Sequence, residues 1–147
     1  MSRLQLPRPV LDSTFQQLRA CGAGRRECVT YWCASQDRPN LLTRVVHPVH
    51  HAGPSWYEVD SSWVTSFFLS LRRDRQTVRA QVHTHPGRAG HSAVDDRFSL
   101  VPAAGFFSLV IPGFAAGPAG LAGTALVMMQ PDGTWAPADP KEVFCVE

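Results

Sequence analysis

The residues best equipped for chemistry lie in one stretch, His83-Thr84-His85-Pro86-Gly87-Arg88-Ala89-Gly90-His91-Ser92-Ala93-Val94-Asp95-Asp96. Neutral imidazole nitrogens bind a zinc-type ion at about 2.0–2.1 Å, and carboxylate oxygens at a similar distance. Three protein ligands with a fourth position left open make a hydrolytic centre, because the open position admits water or substrate. His83 and His85 supply two such donors, and Asp95 or Asp96 supplies the third.

Spacing decides whether these donors converge. Val78-Arg79-Ala80-Gln81-Val82 reads as a strand running into His83. Side chains alternate faces along a strand, so His83 and His85 point the same way and Thr84 the opposite way. Thr84 is therefore expected to be structural. Pro86 and Gly87 end the strand, and Ser92 has the character of a helix N-cap, which puts Asp95 in the first turn of the following helix. Two histidines on a solvated strand face would give His-x-His as well. The Pro-Gly break, the Ser-x-x-Asp and the second aspartate favour metal.

The wording HTHPG followed by HSAVDD resembles the JAMM motif of the JAB/MPN zinc metalloproteases: His-[Ser/Thr]-His-Pro, a short loop, then Ser-x-x-Asp. It looks most like the small bacterial, deubiquitinase-like members. The usual pattern places Ser eight and Asp eleven positions after the second His, whereas Ser92 and Asp95 stand seven and ten after His85 and Asp96 stands at eleven. Asp95 is the expected third ligand, since a cap and the residue three later are fixed together by the helix; Asp96 is the alternative.

The resemblance implies an α/β fold, a central mixed sheet flanked by helices in a cytidine-deaminase-like arrangement, and a Zn2+ cofactor. It implies catalysis by a glutamate on a strand well upstream, for which Glu27 is the candidate: Glu27-Cys28-Val29-Thr30-Tyr31-Trp32 has the β-branched and aromatic content of a strand. Without the resemblance, Glu27 would be expected at an exposed strand end, paired with Arg25 or Arg26. Ser92 is the candidate donor to the oxyanion of the tetrahedral intermediate. The implied activity is isopeptide or peptide cleavage after the C-terminal tail of a ubiquitin-like protein. Implied partners are that protein or its conjugates and homologues of ubiquitin-activating and -conjugating enzymes, in some cases in antiviral defence. An inactive MPN scaffold and a zinc hydrolase of a sulfur-carrier precursor or small molecule are the competing functions. Scaffold members typically lack the ligand set this chain keeps.

The elements around this stretch are read as follows. Residues 1–10 form an arm, with Pro7 and Pro9 discouraging helix. Asp12 or Ser13 caps a helix to about Ala20, with Phe15 and Leu18 on one face and Gly22 at its stop. Leu41 to His47 is the hairpin partner of the Glu27 strand. His47, His50 and His51 read as a polar loop rather than a metal site. Asp60 or Ser61 caps a second helix whose apolar face carries Trp63, Val64, Phe67, Phe68 and Leu71. Glu58, just before it, is the rival carboxylate, with capping as its simpler role. A short helix continues from Arg97 to Val101. Phe106 to Ile111 is a strand buried on both faces, and residues 113–123 are either a flexible connector or a loop that orders over a bound tail. Thr124 to Gln130, Thr134-Trp135 and Val143 to Val146 complete the sheet.

The 147 residues suffice for a single domain, 1–147, with a substantial core. At 44% hydrophobic and 18% charged the composition is that of a globular protein, no apolar run approaches a span, and the first residues lack a secretory h-region. The expectation is a cytoplasmic protein with no membrane partner. The net charge is +2, with Lys141 the sole lysine, and Arg72, Arg73 and Arg75 are interrupted by Asp74, so no nucleic-acid footprint is expected. Cys21, Cys28, Cys33 and Cys145 form no Cys-x-x-Cys. Reduced thiols are expected, with Cys28 a buried small hydrophobe.

Overall fold

The computed structural model describes residues 3–90, 100–101 and 103–147. A six-stranded mixed sheet forms its centre, ordered β3-β2-β6-β7-β8-β9, with β2 Val29–Ser35, β3 Leu42–Val46, β6 Gln76–Thr84, β7 Phe107–Ile111, β8 Ala125–Met129 and β9 Trp135–Ala138. Only β6 and β7 are parallel; the other neighbours run antiparallel. The Glu27 and Leu41 stretches are the expected hairpin, and β7 is buried along its whole length as its unbroken apolar run requires.

Two helices cover the two faces. Helix α1, Arg8–Gly22, packs Leu11, Phe15 and Leu18 against Trp32, Ala80, Val82 and Leu109. It begins well before the expected Asp12. Pro9 lies in the first turn, where its missing N–H belongs to a group with no intrahelical partner anyway, so it does not break the helix. Gly22 is the last helical residue, and Ala23 takes the left-handed cap at φ 52°, donating its N–H to the Arg19 carbonyl.

On the other face helix α2, Ser61–Arg73, buries Phe67 and Leu71 against Val29, Tyr31, Cys33 and Val78. Phe68 is 39% exposed, so the apolar stripe is narrower than its sequence pattern suggests. Asp60 is the N-cap: its carboxylate accepts from the Trp63 N–H at 2.9 Å and from the Ser62 hydroxyl. Those two donors, the Ser62 hydroxyl foremost, hold the Asp60 carboxyl below its ordinary pKa. A group with a depressed folded pKa contributes fully above its unfolded value and loses that contribution as pH falls through the folded one. Asp60→Ala is expected to lower the melting temperature by a few degrees at neutral pH, while the gap to the unaltered chain closes in acid. Melting curves of both chains across the carboxylate range check this; a gap that does not depend on pH would rule it out.

Three smaller pieces complete the structure. A hairpin of β4 His50–Gly53 and β5 Trp56–Val59 lies outside the main sheet. The expected arm holds a strand, β1 Leu4–Leu6, paired in parallel with β10 Phe144–Val146. The expected strand over 143–146 therefore does not finish the main sheet; Val143 ends a short helix, α3 Pro140–Val143, and Phe144–Val146 close a separate two-stranded sheet with Leu4–Leu6. Among the described residues no helix is long and apolar enough to cross a membrane.

Candidate active site

The register of β2 against β6 sets the geometry. Val29 is paired with His83 in antiparallel alignment. Directly paired residues share a face, and faces alternate along each strand. Continuing the register by two residues brings Glu27 level with His85. Between these two levels, the Thr84 N–H donates to the Cys28 carbonyl at 3.1 Å, while Thr84 Oγ1 accepts from the Cys28 N–H at 3.0 Å. Thr84 thus faces away from the histidines and fastens the two strands, the structural role its position implied.

His83 is fully buried, and its ring centroid lies 5.2 Å from that of His85 at an interplanar angle of 59°. Two imidazoles on one tetrahedral ion, with bonds of about 2.0–2.1 Å, have centroids about 5 Å apart. The observed spacing fits that donor set. The Tyr57 ring also packs against His83, with centroids 5.3 Å apart. Its place on hairpin β4–β5, away from both strands of the site, is why sequence spacing gave no sign of it. One level below, Gln81 Nε2 donates to Ser108 Oγ at 3.0 Å, and the Leu100 N–H donates to Gln81 Oε1 at 3.4 Å. This buried amide ties the returning chain to the strand that carries the histidines.

Glu27 is 3% exposed, not the solvent-facing strand end expected from its neighbouring arginines. Its backbone N–H donates to the Gly53 carbonyl at 2.9 Å, so hairpin β4–β5 braces the start of β2. Glu58 differs in both respects. It is exposed in β5, opposite His51, and the cap of α2 is Asp60, so the capping role expected of Glu58 is not the one it has. The candidate ligands Asp95 and Asp96, the candidate oxyanion donor Ser92, and most of the helix expected over 97–101 lie outside the described residues.

A second group of donors stands beside the start of β2. Cys21 and Cys28 are joined by a disulfide, which corrects the expectation that Cys28 is a free thiol. His47 Nε2 lies 3.2 Å from Cys28 Sγ, and His50 Nε2 lies 3.4 Å from Cys21 Sγ. Burial holds both imidazoles below their ordinary pKa, and each has a cationic or imidazole neighbour pushing the same way. The signal for this cluster was split in the sequence, Cys-x6-Cys in one stretch and His-x2-His in another, and neither half is decisive alone. The remaining free thiols among the described residues are Cys33, pushed up to about 12 by burial, and Cys145.

The loop after β7 is tied to its surroundings by hydrogen bonds. The Phe114 N–H donates to the His85 carbonyl at 2.9 Å and the Gly113 N–H to the Gly87 carbonyl at 3.0 Å, so its start braces the strand end that carries His85. It then crosses to α1, where the Arg19 guanidinium donates to the carbonyls of Ala115 and Gly117 and Arg8 to that of Ala119.

No protein-family model matches the chain. It is 30% identical over 135 residues to the probable metalloprotease y4jG of Sinorhizobium fredii (strain NBRC 101917 / NGR234), spanning 88% of this chain and 83% of that protein. Its fold is similar to the solution structure of protein DSY2949 from Desulfitobacterium hafniense, with a TM-score of 0.68, 15% identity, and coverage of 98% of this chain and 92% of that one. It is also similar to the crystal structure of AF2198, a JAB1/MPN domain protein from Archaeoglobus fulgidus, with a TM-score of 0.54, 12% identity, and coverage of 92% and 95%.

Proposed function

This chain belongs to the JAB/MPN metalloprotease family and is a metal-dependent hydrolase; from that premise we propose a zinc peptidase or isopeptidase that cleaves after the C-terminal tail of a ubiquitin-like protein. The observation that carries the reading is the Val29–His83 register, which sets Glu27 and both histidines at one end and on one face of the sheet. Glu27 is buried there, level with His85.

The ligands are His83, His85 and Asp95, with Asp96 the alternative. Zinc held there supplies Lewis acidity and a more acidic water, which suits an amide carbonyl. Glu27 accepts the proton released as water attacks and delivers it to the departing amine. Ser92 donates a hydrogen bond to the oxygen on which charge develops. Tyr57 and the Thr84–Cys28 pair of hydrogen bonds hold His83 and Glu27 in place. An extended tail suits such a site, because main-chain bonds to a strand edge grip it without a deep pocket.

The experiment is cleavage of a ubiquitin-like protein carrying a C-terminal extension, by the purified chain before and after chelation. Cleavage that stops on chelation and returns with zinc is expected. A zinc-loaded chain that leaves linear and isopeptide-linked substrates intact, or hydrolyses only small molecules, would overturn the reading.

The third ligand is tested by metal content. Asp95→Ala is expected to lower zinc by about one ion per chain relative to the unaltered protein, and Asp96→Ala to leave it unchanged. Should Asp96→Ala lose the ion and Asp95→Ala keep it, the count from His85 is the better guide to this loop than the spacing from Ser92.

A further inference from the structure

The cluster at Cys21, Cys28, His47 and His50 takes no part in the hydrolytic reading. Cys21 is at the end of α1, Cys28 precedes β2, and His47 and His50 flank the turn between β3 and β4. Each sulfur has one imidazole nitrogen against it, and all four donor atoms lie within 4.8 Å of one another. On a tetrahedral zinc with bonds of about 2.3 Å to sulfur and about 2.0–2.1 Å to nitrogen, sulfur and nitrogen would stand about 3.5 Å apart. The two observed separations, 3.2 and 3.4 Å, are close to that. The ring centroids of His47 and His50 lie 5.1 Å apart, near the spacing of His83 and His85.

The disulfide leaves one feature without a reason. His50 Nδ1 lies 3.3 Å from the Pro48 carbonyl, which can only accept, so Nδ1 carries the hydrogen. In the neutral ring Nε2 then bears a lone pair, and that lone pair meets a disulfide sulfur with no hydrogen to give. Metal-binding histidines commonly have this arrangement: one nitrogen donates to a backbone carbonyl and the other is thereby fixed as a ligand. The donor set is two sulfurs and two imidazoles, with no carboxylate, which suits zinc rather than magnesium or calcium. It also closes the coordination sphere, as structural sites do.

We propose that Cys21, Cys28, His47 and His50 form a second metal centre, a structural Cys2His2 zinc site that assembles once a dithiol or phosphine reductant has supplied the two electrons that convert the disulfide to two thiols. Each thiol gives up its proton as its sulfur binds, so two protons are released and no electron moves. The sulfur pair must open to about 3.8 Å, and the other donor separations, all within 4.8 Å, must settle near the tetrahedral spacing, for the four donors to surround one ion. The disulfide is the two-electron-oxidised alternative of the same pair, and the two forms exclude each other. Such a centre would tie the end of α1 and the β3–β4 turn to the residue next to Glu27.

The test uses the full chain with His83→Ala and His85→Ala, so that the hydrolytic site cannot contribute. The protein is reduced with a phosphine, which takes up the oxidising equivalents as its oxide and provides no competing thiol. It is then titrated with cobalt(II) and, separately, with zinc. Expected are about one ion per chain and an intense thiolate-to-cobalt charge-transfer absorption with tetrahedral ligand-field bands. Adding Cys21→Ser and Cys28→Ser should abolish the charge transfer, and His47→Ala or His50→Ala should weaken binding. A reduced, folded chain without that absorption, or an absorption that survives loss of both cysteines, would overturn the proposal. Because these variants risk misfolding, the unaltered reduced chain gives an independent reading. Zinc should protect Cys21 and Cys28 together from alkylation, and equal modification with and without zinc would overturn the proposal too. Neither readout depends on cleavage, so a failed peptidase assay leaves this inference standing and its failure leaves the hydrolytic reading intact.

Discussion

Replacing Glu27 with glutamine is expected to leave the fold and the metal content unchanged and to slow cleavage by about 10²-fold or more, the usual contribution of a positioned general base. The substitution keeps the shape of the side chain at a buried position, so the bracing of β2 by Gly53 survives. What is lost is the ability to take a proton. Among the described residues of the two site strands, His83 and His85 are assigned to the metal in the proposed mechanism, and Thr84 faces the opposite side with its hydroxyl engaged by Cys28. Glu58 is the comparison that makes the measurement decisive, since it is exposed on β5 and opposite His51. Single-turnover cleavage by Glu27→Gln and Glu58→Gln, with zinc measured in the same samples, separates the two. Near-normal rates for the first with an inactive second would move the base to Glu58.

The largest effect on stability is expected at Trp32. Its side chain is fully buried and joins three elements at once. It lies on β2, its indole N–H donates to Thr14 Oγ1 of α1 at 2.7 Å, and its ring meets Phe144 of β10 edge-on at 5.4 Å. Thr14 in turn donates its hydroxyl to the Val10 carbonyl at 2.7 Å, so both polar groups are satisfied in a dry interior. Trp32→Ala removes apolar contact with α1, the sheet and Phe144, leaves a cavity between them, and takes away the donor to Thr14. The expected cost is about 3–5 kcal/mol, a large part of the roughly 5–15 kcal/mol that holds a domain of this kind together. Trp32→Phe should cost less, because most of the volume stays. Urea unfolding measures both; a midpoint for Trp32→Ala close to that of the unaltered chain would show that the α1 face is not the main support of this fold.

The strand carrying His83, the hairpin from residue 29 to 46 and helix α2 were legible because local pattern and tertiary role agree there. Alternation gave the histidines their common face, and 3.6-residue spacing gave α2 its buried stripe. Elements held by remote partners were not legible. Leu4–Leu6 is a three-residue strand with too little local signal, and Val143 to Val146 read as a strand without any sign that its partner is the other end of the chain. Pro9 read as a helix breaker because proline's effect depends on its position in the helix, and position was unknown. Glu27 could be nominated from family resemblance, but its burial came from packing that no spacing rule expresses. The cysteine and histidine pairs belong to different elements, so the fold alone brings their donors together.

The pairing of β1 with β10 turns the chain into a closed ring in space. Leu6 stands beside Val146, the Glu147 N–H donates to the Leu6 carbonyl, and the Arg8 N–H donates to the Glu147 carbonyl. Arg3 reinforces the junction by donating to the carbonyls of Lys141, Glu142 and Phe144. Among the described residues this is the contact of longest sequence separation, and bringing its two sides together restricts nearly the whole unfolded chain. Loop-closure entropy grows only slowly with length, by roughly 0.6 kcal/mol for each doubling, so a covalent link across the junction would gain most of its effect from the unfolded ensemble. The same adjacency frees the order of the elements from where the backbone is cut. A chain joined at this seam and reopened in the exposed Pro131-Asp132-Gly133 turn would retain every strand neighbour and lose only the tight connection from β8 to β9, and the end of the sheet bearing Glu27 and the two histidines would have the same supports.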